Sequence, residues 1–88
     1  MKVSFADVDG ANIRYYEEGS GEPLLLIHGF GASADTWART IDAFGEHYTV
    51  YAPDLLGHGF SDWVDFSGEP PQAHLVRYLG RFMDVLGI

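Results

Sequence analysis

Residues 24–33 have the sequence Leu-Leu-Leu-Ile-His-Gly-Phe-Gly-Ala-Ser, an apolar run that leads into a glycine-rich turn. Four apolar residues in succession show no alternation, which is typical of a strand covered on both faces in a parallel sheet. Glycines let the backbone turn sharply and bring its N–H groups close to a ligand. Ligands bind at the carboxyl ends of strands in open α/β sheets, so the turn after this strand is the first candidate for a functional site.

A hairpin is predicted upstream of this run. Two short strands, over residues 3–8 and 12–17, are joined by Asp9-Gly10, a dipeptide typical of tight two-residue turns. Ile13 and Tyr15 occupy alternate positions of the second strand, which predicts one buried face. The residues of its other face are Asn12, Arg14 and Tyr16.

Downstream of the turn, helices alternate with strands. Ser33 is placed to cap the first helix, and the apolar residues of each helix recur at helical spacing. The sequence predicts a single α/β domain with four strands, a hairpin plus a parallel βαβ unit, and two helices. The later elements are a helix over 33–45 (Trp37, Ile41, Phe44), a strand over 48–52, a loop over 54–71, and a helix from Pro70-Pro71 to Gly87 (Leu75, Tyr78, Leu79, Phe82, Leu86).

Composition restricts the classes of partner. The 88 residues carry a formal net charge of -8, which argues against nucleic acid or an anionic membrane as partner. Without cysteine the chain has no thiolate nucleophile or cysteine metal site, and its four histidines lack metal-ligand spacing, so no cofactor is expected. There is no signal core or membrane-spanning run, so we expect a cytoplasmic protein. The net charge says little about a neutral organic substrate, so a small-molecule substrate stays open.

The turn is compatible with two kinds of chemistry. The first is an oxyanion hole, in which backbone N–H groups after a strand stabilise the negative oxygen of a tetrahedral intermediate. In His28-Gly29-Phe30-Gly31 the Phe30 N–H would be the donor, the glycines would provide room, and His28 would brace the turn. The second is dinucleotide binding, because Gly29-x-Gly31-x-x-Ala34 follows a strand and Asp54 lies where a ribose-binding acid would be.

The flanking sequence favours the first alternative, since a dinucleotide fold usually begins with the fingerprint strand and here a hairpin precedes it. The chain resembles the N-terminal part of the α/β-hydrolase fold. That resemblance covers essentially all 88 residues and rests on His-Gly-x-Gly at 28–31, Trp37, and Pro-Asp-x-x-Gly-x-Gly-x-Ser at 53–61. It implies the sheet order 1-2-4-3. It also implies a hydrolase that is esterase-like or cleaves a related acyl or carbon–carbon bond. Gly31 stands where many epoxide hydrolases and haloalkane dehalogenases have proline, which favours the serine-nucleophile branches.

The resemblance also implies that the nucleophile elbow, the triad acid and the catalytic histidine lie beyond Ile88. Ser33 is better explained as a helix cap, and Ser61 as part of a structural turn, so no nucleophile is assigned in this chain. We therefore expect these 88 residues alone to turn over no substrate.

Three side chains in or near the loops are candidates for lining a substrate pocket: Phe30, Trp63 and Phe66. We expect His58 to support the fold of its loop and Asp54 to accept hydrogen bonds from nearby backbone N–H groups. Without a further strand beside residues 24–28, one sheet edge would be open, and such an edge invites self-association or a complementing chain. A non-catalytic fragment that acts by assembly therefore remains a third alternative.

Overall fold

The structure is a computed structural model that describes residues 1–65 and 68–88. A strand hairpin comes first and a strand–helix–strand–helix segment follows, as the sequence predicts. The elements are, in chain order, β1 (Lys2–Val8), β2 (Ala11–Glu18), β3 (Glu22–Leu25), a 3-10 helix (Ala34–Trp37), α1 (Ile41–Gly45), β4 (Tyr48–Pro53) and α2 (Pro71–Leu86). Within the described residues, no helix combines the length and apolar character that crossing a membrane requires.

The four strands form one mixed sheet in the order β1-β2-β4-β3, which confirms the predicted topology. β1 and β2 form an antiparallel hairpin, and both turn residues have positive φ, 51° at Asp9 and 87° at Gly10, as a two-residue hairpin turn requires. β2 also pairs antiparallel with β4, whereas β3 pairs with β4 in parallel. The carboxyl ends of β3 and β4 therefore lie side by side.

β3 begins and ends earlier than the predicted strand over 24–28. The Leu26 N–H still donates to the Tyr51 carbonyl at 2.9 Å, but the chain then leaves the ladder. The next bond of this parallel pair would need an N–H from Pro53, which proline lacks. Ile27, predicted to be covered, is 45% exposed.

β2 differs from the prediction of one buried face. Ile13 and Tyr15 pack in a core cluster with Phe82 of α2, as expected. On the other face Tyr16 packs with Ala34 and Ile41, and Arg14 is buried as well. The expectation was wrong because the sheet is covered on both sides, by α2 on one and by the 3-10 helix and α1 on the other.

The single helix predicted over 33–45 is in fact two shorter ones. Ser33 is the predicted cap, and its hydroxyl accepts a hydrogen bond from the Asp35 N–H at 3.2 Å. The following bonds join residues three apart, and the Thr40 hydroxyl donates to the Trp37 carbonyl at 3.4 Å. Such a local side-chain bond competes with a continuing helical ladder, so the helix restarts at Ile41.

α2 has the bounds that the sequence predicts. Proline occupies its first turn, and Gly87 ends it in the left-handed conformation at φ 75°. Its apolar stripe packs against the hairpin, with Phe82 almost fully buried. The helix thereby forms one wall beside the loop that follows β4.

Candidate active site

The glycine-rich segment after β3 forms a tight turn at the carboxyl edge of the sheet. The Ala32 N–H donates to the Gly29 carbonyl at 3.1 Å, which closes a four-residue turn. Gly31, the third residue of the turn, has φ 85°, the value that a type II turn requires at this position. Glycine adopts that conformation without strain, so the sequence determines the turn type.

His28 is buried beneath this turn and forms two hydrogen bonds with the backbone. Its Nε2 accepts from the Leu55 N–H at 2.9 Å, so the ring proton resides on Nδ1. Nδ1 lies 2.7 Å from the Gly29 carbonyl oxygen and donates to it. The imidazole therefore joins the turn to the loop after β4 and has no free nitrogen for proton transfer.

The peptide between Gly29 and Phe30 is held by its carbonyl oxygen, which accepts from both His28 and Ala32. In a trans peptide the N–H points opposite to the carbonyl. The Phe30 N–H is thus directed away from the two groups that hold its peptide, and it meets no acceptor in residues 1–65 and 68–88. Among the described residues, the Phe30 N–H is thus a donor whose peptide is held in place and which has no acceptor.

His58 approaches the same turn from the facing loop. Its Nε2 accepts a hydrogen bond from the Gly31 N–H at 2.9 Å, and its Nδ1 lies 3.0 Å from the Leu56 carbonyl oxygen. The ring also meets the Phe30 ring edge-on, with centroids 5.2 Å apart. Gly31, unlike Phe30, has no N–H available to a ligand.

Asp54 directly follows β4 and is fully buried. Its carboxylate accepts from Arg14 Nε at 2.7 Å and Nη2 at 3.2 Å, from the Ala34 N–H at 2.7 Å, and from the Phe60 N–H at 2.9 Å. Burial opposes ionisation, but the hydrogen bonds from Arg14, Ala34 and Phe60 outweigh it and hold the pKa of Asp54 below its ordinary value. The predicted bonds to backbone N–H groups are present. The ribose-binding alternative for Asp54 is wrong, because no part of this carboxylate is accessible to a ligand.

Arg14 is the partner that sequence reasoning missed. Its guanidinium lies over the rings of Tyr16 and Phe60, 4.9 and 4.6 Å from their centroids, and also contacts Asp35 at 3.4 Å. The Tyr16 hydroxyl donates to Asp35, and burial together with this bond raises the pKa of the phenol. The available signal was an arginine in the middle of β2, between Ile13 and Tyr15.

Ser61 belongs to the same buried cluster. Its hydroxyl donates to the Asp54 carbonyl at 2.8 Å and accepts from the Arg14 N–H at 2.9 Å. A hydroxyl held in this way stabilises a turn, as predicted, and Ser33 is occupied as a helix cap. In the described ranges, no group of three or more histidine or acidic side chains lies close enough to hold a metal ion.

An open cleft of about 480 Å³ lies beside the turn. Phe30 and Trp63, the predicted pocket residues, both line it and are 81% and 68% exposed. The third candidate, Phe66, lies outside the described residues. The apolar walls of the cleft also include Leu56, Pro71 and Leu75. The described lining of the cleft is therefore mostly apolar and includes the His58 ring.

A sequence model of the alpha/beta hydrolase fold matches residues 22–88, most of the chain. The chain belongs to the α/β hydrolase fold family. The match confirms the resemblance drawn from His-Gly-x-Gly and the later motif, and it places the turn and Asp54 within the shared part of this family.

Individual proteins match over nearly the whole chain. The dihydrolipoyllysine-residue acetyltransferase component of the acetoin cleaving system of Cupriavidus necator is 45% identical over 96% of this chain and 22% of its own length. A 2-hydroxy-6-oxo-6-(2'-aminophenyl)hexa-2,4-dienoic acid hydrolase of Metapseudomonas resinovorans is 36% identical over 93% of this chain and 29% of its length. The crystal structure of a haloalkane dehalogenase loop variant from Bradyrhizobium elkanii superposes with a TM-score of 0.91 at 28% identity, covering 99% of this chain and 29% of that one. The chain thus spans less than a third of the length of these proteins.

Proposed function

We propose that these 88 residues form the N-terminal part of a hydrolase domain and supply its oxyanion-hole turn. The observation that carries the proposal is the Phe30 N–H, which is fixed through its own peptide and donates to no acceptor among the described residues. The substrate is a small organic molecule whose ester, or related acyl or carbon–carbon bond, is cleaved. The nucleophile, the acid and the catalytic histidine are contributed by residues outside this chain.

A fixed N–H stabilises an oxyanion because its dipole needs no reorganisation when the negative charge develops. His28 and Ala32 hold the Gly29 carbonyl, so the orientation of the Phe30 N–H is set before a substrate arrives. In this fold the second donor is the N–H of the residue after the nucleophile. Phe30 would then provide one half of a two-donor site.

Two further observations support the class of substrate and of nucleophile. The cleft beside the turn is apolar, which suits a neutral organic group. Relatives named as hydrolases of small organic acids, from Metapseudomonas resinovorans and from Acinetobacter baylyi, match this chain. Gly31 replaces the proline that is common in epoxide hydrolases and haloalkane dehalogenases, which favours a serine nucleophile.

The free edge of β3 supports the same proposal. β3 pairs only with β4 in the described sheet, so its other edge has unpaired backbone groups. Apolar edge strands tend to pair with a further strand. We propose that a strand from the rest of the hydrolase domain, on the same or a complementing chain, pairs there.

The test uses a fusion protein, in which these 88 residues replace the matching segment of the Metapseudomonas resinovorans hydrolase. Turnover is measured with that enzyme's substrate and with a p-nitrophenyl ester. Replacing the Phe30 amide by an ester, through phenyllactic acid at position 30, removes the N–H and keeps the side chain. We expect kcat to fall about 10²–10³-fold with little change in KM, as for other single oxyanion donors.

The matched control is Phe30→Ala, which keeps the N–H and removes a side chain that is 81% exposed. We expect Phe30→Ala and Trp63→Ala to raise KM and to leave kcat within a few-fold, because these rings line the cleft. An unchanged kcat after the ester substitution would show that Phe30 is not the donor. A folded fusion protein that hydrolyses neither substrate would contradict the proposed function as a whole.

A further inference from the structure

Two histidines connect the turn and the facing loop in opposite directions. His28 lies on the turn side and accepts from Leu55 of the facing loop, whereas His58 lies on the facing loop and accepts from Gly31 of the turn. Both bonds are 2.9 Å long, and the two rings lie 5.1 Å apart. We call this pair of bonds the histidine clasp.

Each ring of the clasp is held in one orientation and one tautomer. Because each Nε2 accepts from a backbone N–H, the proton of each ring resides on Nδ1. The Nδ1 of His28 donates to Gly29, and the Nδ1 of His58 donates to the Leu56 carbonyl at 3.0 Å. His58 is therefore fixed by its own loop and can act as a rigid acceptor for the turn.

The bond from Gly31 to His58 involves the central peptide of the turn. In the turn from Gly29 to Ala32, that peptide joins Phe30 to Gly31. Type I and type II turns differ by the orientation of this peptide, which rotates by about 180° between them. An acceptor on the Gly31 N–H stabilises only the type II form, in which Gly31 has its observed φ of 85°.

We propose that His58 is a positioning residue that locks this central peptide against rotation. The inference rests on the proposed function, since it concerns the same oxyanion turn. His28 holds the peptide that carries the Phe30 N–H, and His58 holds the next one. With both fixed, the dihedral angles on each side of Phe30 are constrained, and its N–H keeps a single direction.

The kinetic test compares two substitutions in the fusion protein. His58→Leu removes the acceptor, and His58→Gln places an amide oxygen near the position of Nε2. We expect His58→Leu to lower kcat about ten-fold, the order that one lost hydrogen bond can produce, with KM changed less than three-fold. His58→Gln should recover most of that loss. His47→Leu is the control, because His47 is exposed and precedes β4 at the opposite end of the strand.

A second variant removes the donor of the Gly31–His58 hydrogen bond instead of its acceptor. Glycolic acid at position 31 removes the Gly31 N–H and leaves His58 in place, so it tests the lock even if His58→Leu fails to fold. We expect the same fall in kcat. Wild-type kcat in the glycolic acid variant would overturn the inference, as would wild-type kcat in a folded His58→Leu protein.

A spectroscopic measurement separates this inference from the proposed function. With ¹⁵N-labelled histidine and glycine, the N–H to Nε2 bond should give a scalar coupling between Gly31 N and His58 Nε2, which disappears in His58→Leu. If the Phe30 ester leaves kcat unchanged while the coupling is present, the oxyanion proposal fails and the clasp stands. Absence of the coupling in the folded wild-type protein would overturn the lock directly.

Discussion

The loops that follow β3 and β4 lie side by side, yet they differ in whether a key polar group is hydrogen-bonded within the protein. After β4, Asp54 is fully buried and its carboxylate accepts four hydrogen bonds. After β3, Phe30 is 81% exposed and its N–H donates to no acceptor among the described residues. The Asp54 carboxylate is thus fully used inside the protein, whereas the Phe30 N–H is free among the described residues. Under the proposed function, Asp54 supports the turn and the Phe30 N–H contacts the substrate.

The two loops are also connected, so the position of the turn after β3 depends on Asp54 in the loop after β4. Asp54 binds the Ala34 N–H, which lies two residues beyond the end of the turn. Arg14 attaches the same carboxylate to the middle of β2. The position of the turn relative to the sheet is thus determined by a buried ion pair with additional backbone donors, the arrangement in which a buried charge is tolerated.

The largest effect should come from removing the Asp54 carboxylate. We expect Asp54→Ala to lower the free energy of unfolding by about 3–5 kcal/mol, because Arg14 would be left buried without its main partner. Urea denaturation of the fusion protein measures this. The control is Asp84→Ala, which removes an exposed carboxylate paired with Arg81 and should change the free energy of unfolding far less. Equal losses for the two variants would contradict the contrast between the loops.

Acidification should remove part of the same stabilisation. The pKa of Asp54 is lower in the folded protein than its ordinary value of about 4, so the unfolded chain binds the proton more readily. The contribution is complete above pH 4 and is lost as the pH falls from there through the folded-state pKa. Denaturation curves between pH 5 and pH 2 should therefore show a steeper loss of stability for the wild-type protein than for Asp54→Asn. Parallel curves would show that Asp54 does not titrate as its contacts require.

A smaller effect is expected from a methyl group added to a glycine of each loop. Gly59 has φ 53°, and a Cβ there would clash with the Asp54 carboxylate. Gly31 has φ 85°, and a Cβ there would meet nothing within 4 Å. Both Gly→Ala variants incur about 1–2 kcal/mol of left-handed strain, and Gly59→Ala adds about 1–3 kcal/mol of overpacking. Thermal denaturation that ranks Gly31→Ala as the more damaging change would contradict the comparison.

The parts that were predictable from sequence depend on local signals. Asp9-Gly10 specified the hairpin, Pro71 and Gly87 bounded α2, and Ser33 marked a helix start. The turn at His28 was also found locally, because its glycines and its place after an apolar run lie within ten residues. These features involve neighbours in the chain, so no knowledge of the sheet was needed.

The parts that were missed depend on contacts between remote segments. Arg14 and Asp54 are 40 residues apart, and their pairing follows from the register of β2 against β4. The bond from Gly31 to His58 spans 27 residues and needs both loops in place. The early end of β3 depends on Pro53 of its partner strand. None of these follows from periodicity, because each is determined by what lies opposite in the assembled sheet.

The strand order β1-β2-β4-β3 has a consequence for synthesis on the ribosome. β3 emerges before β4, but in the described sheet β4 is the strand with which it pairs. At about 5–20 residues per second, the apolar run that begins at Leu24 emerges on the order of seconds before Pro53. During that interval the most hydrophobic segment of the nascent chain is exposed and unpaired, and this is the stage at which a chaperone would bind it.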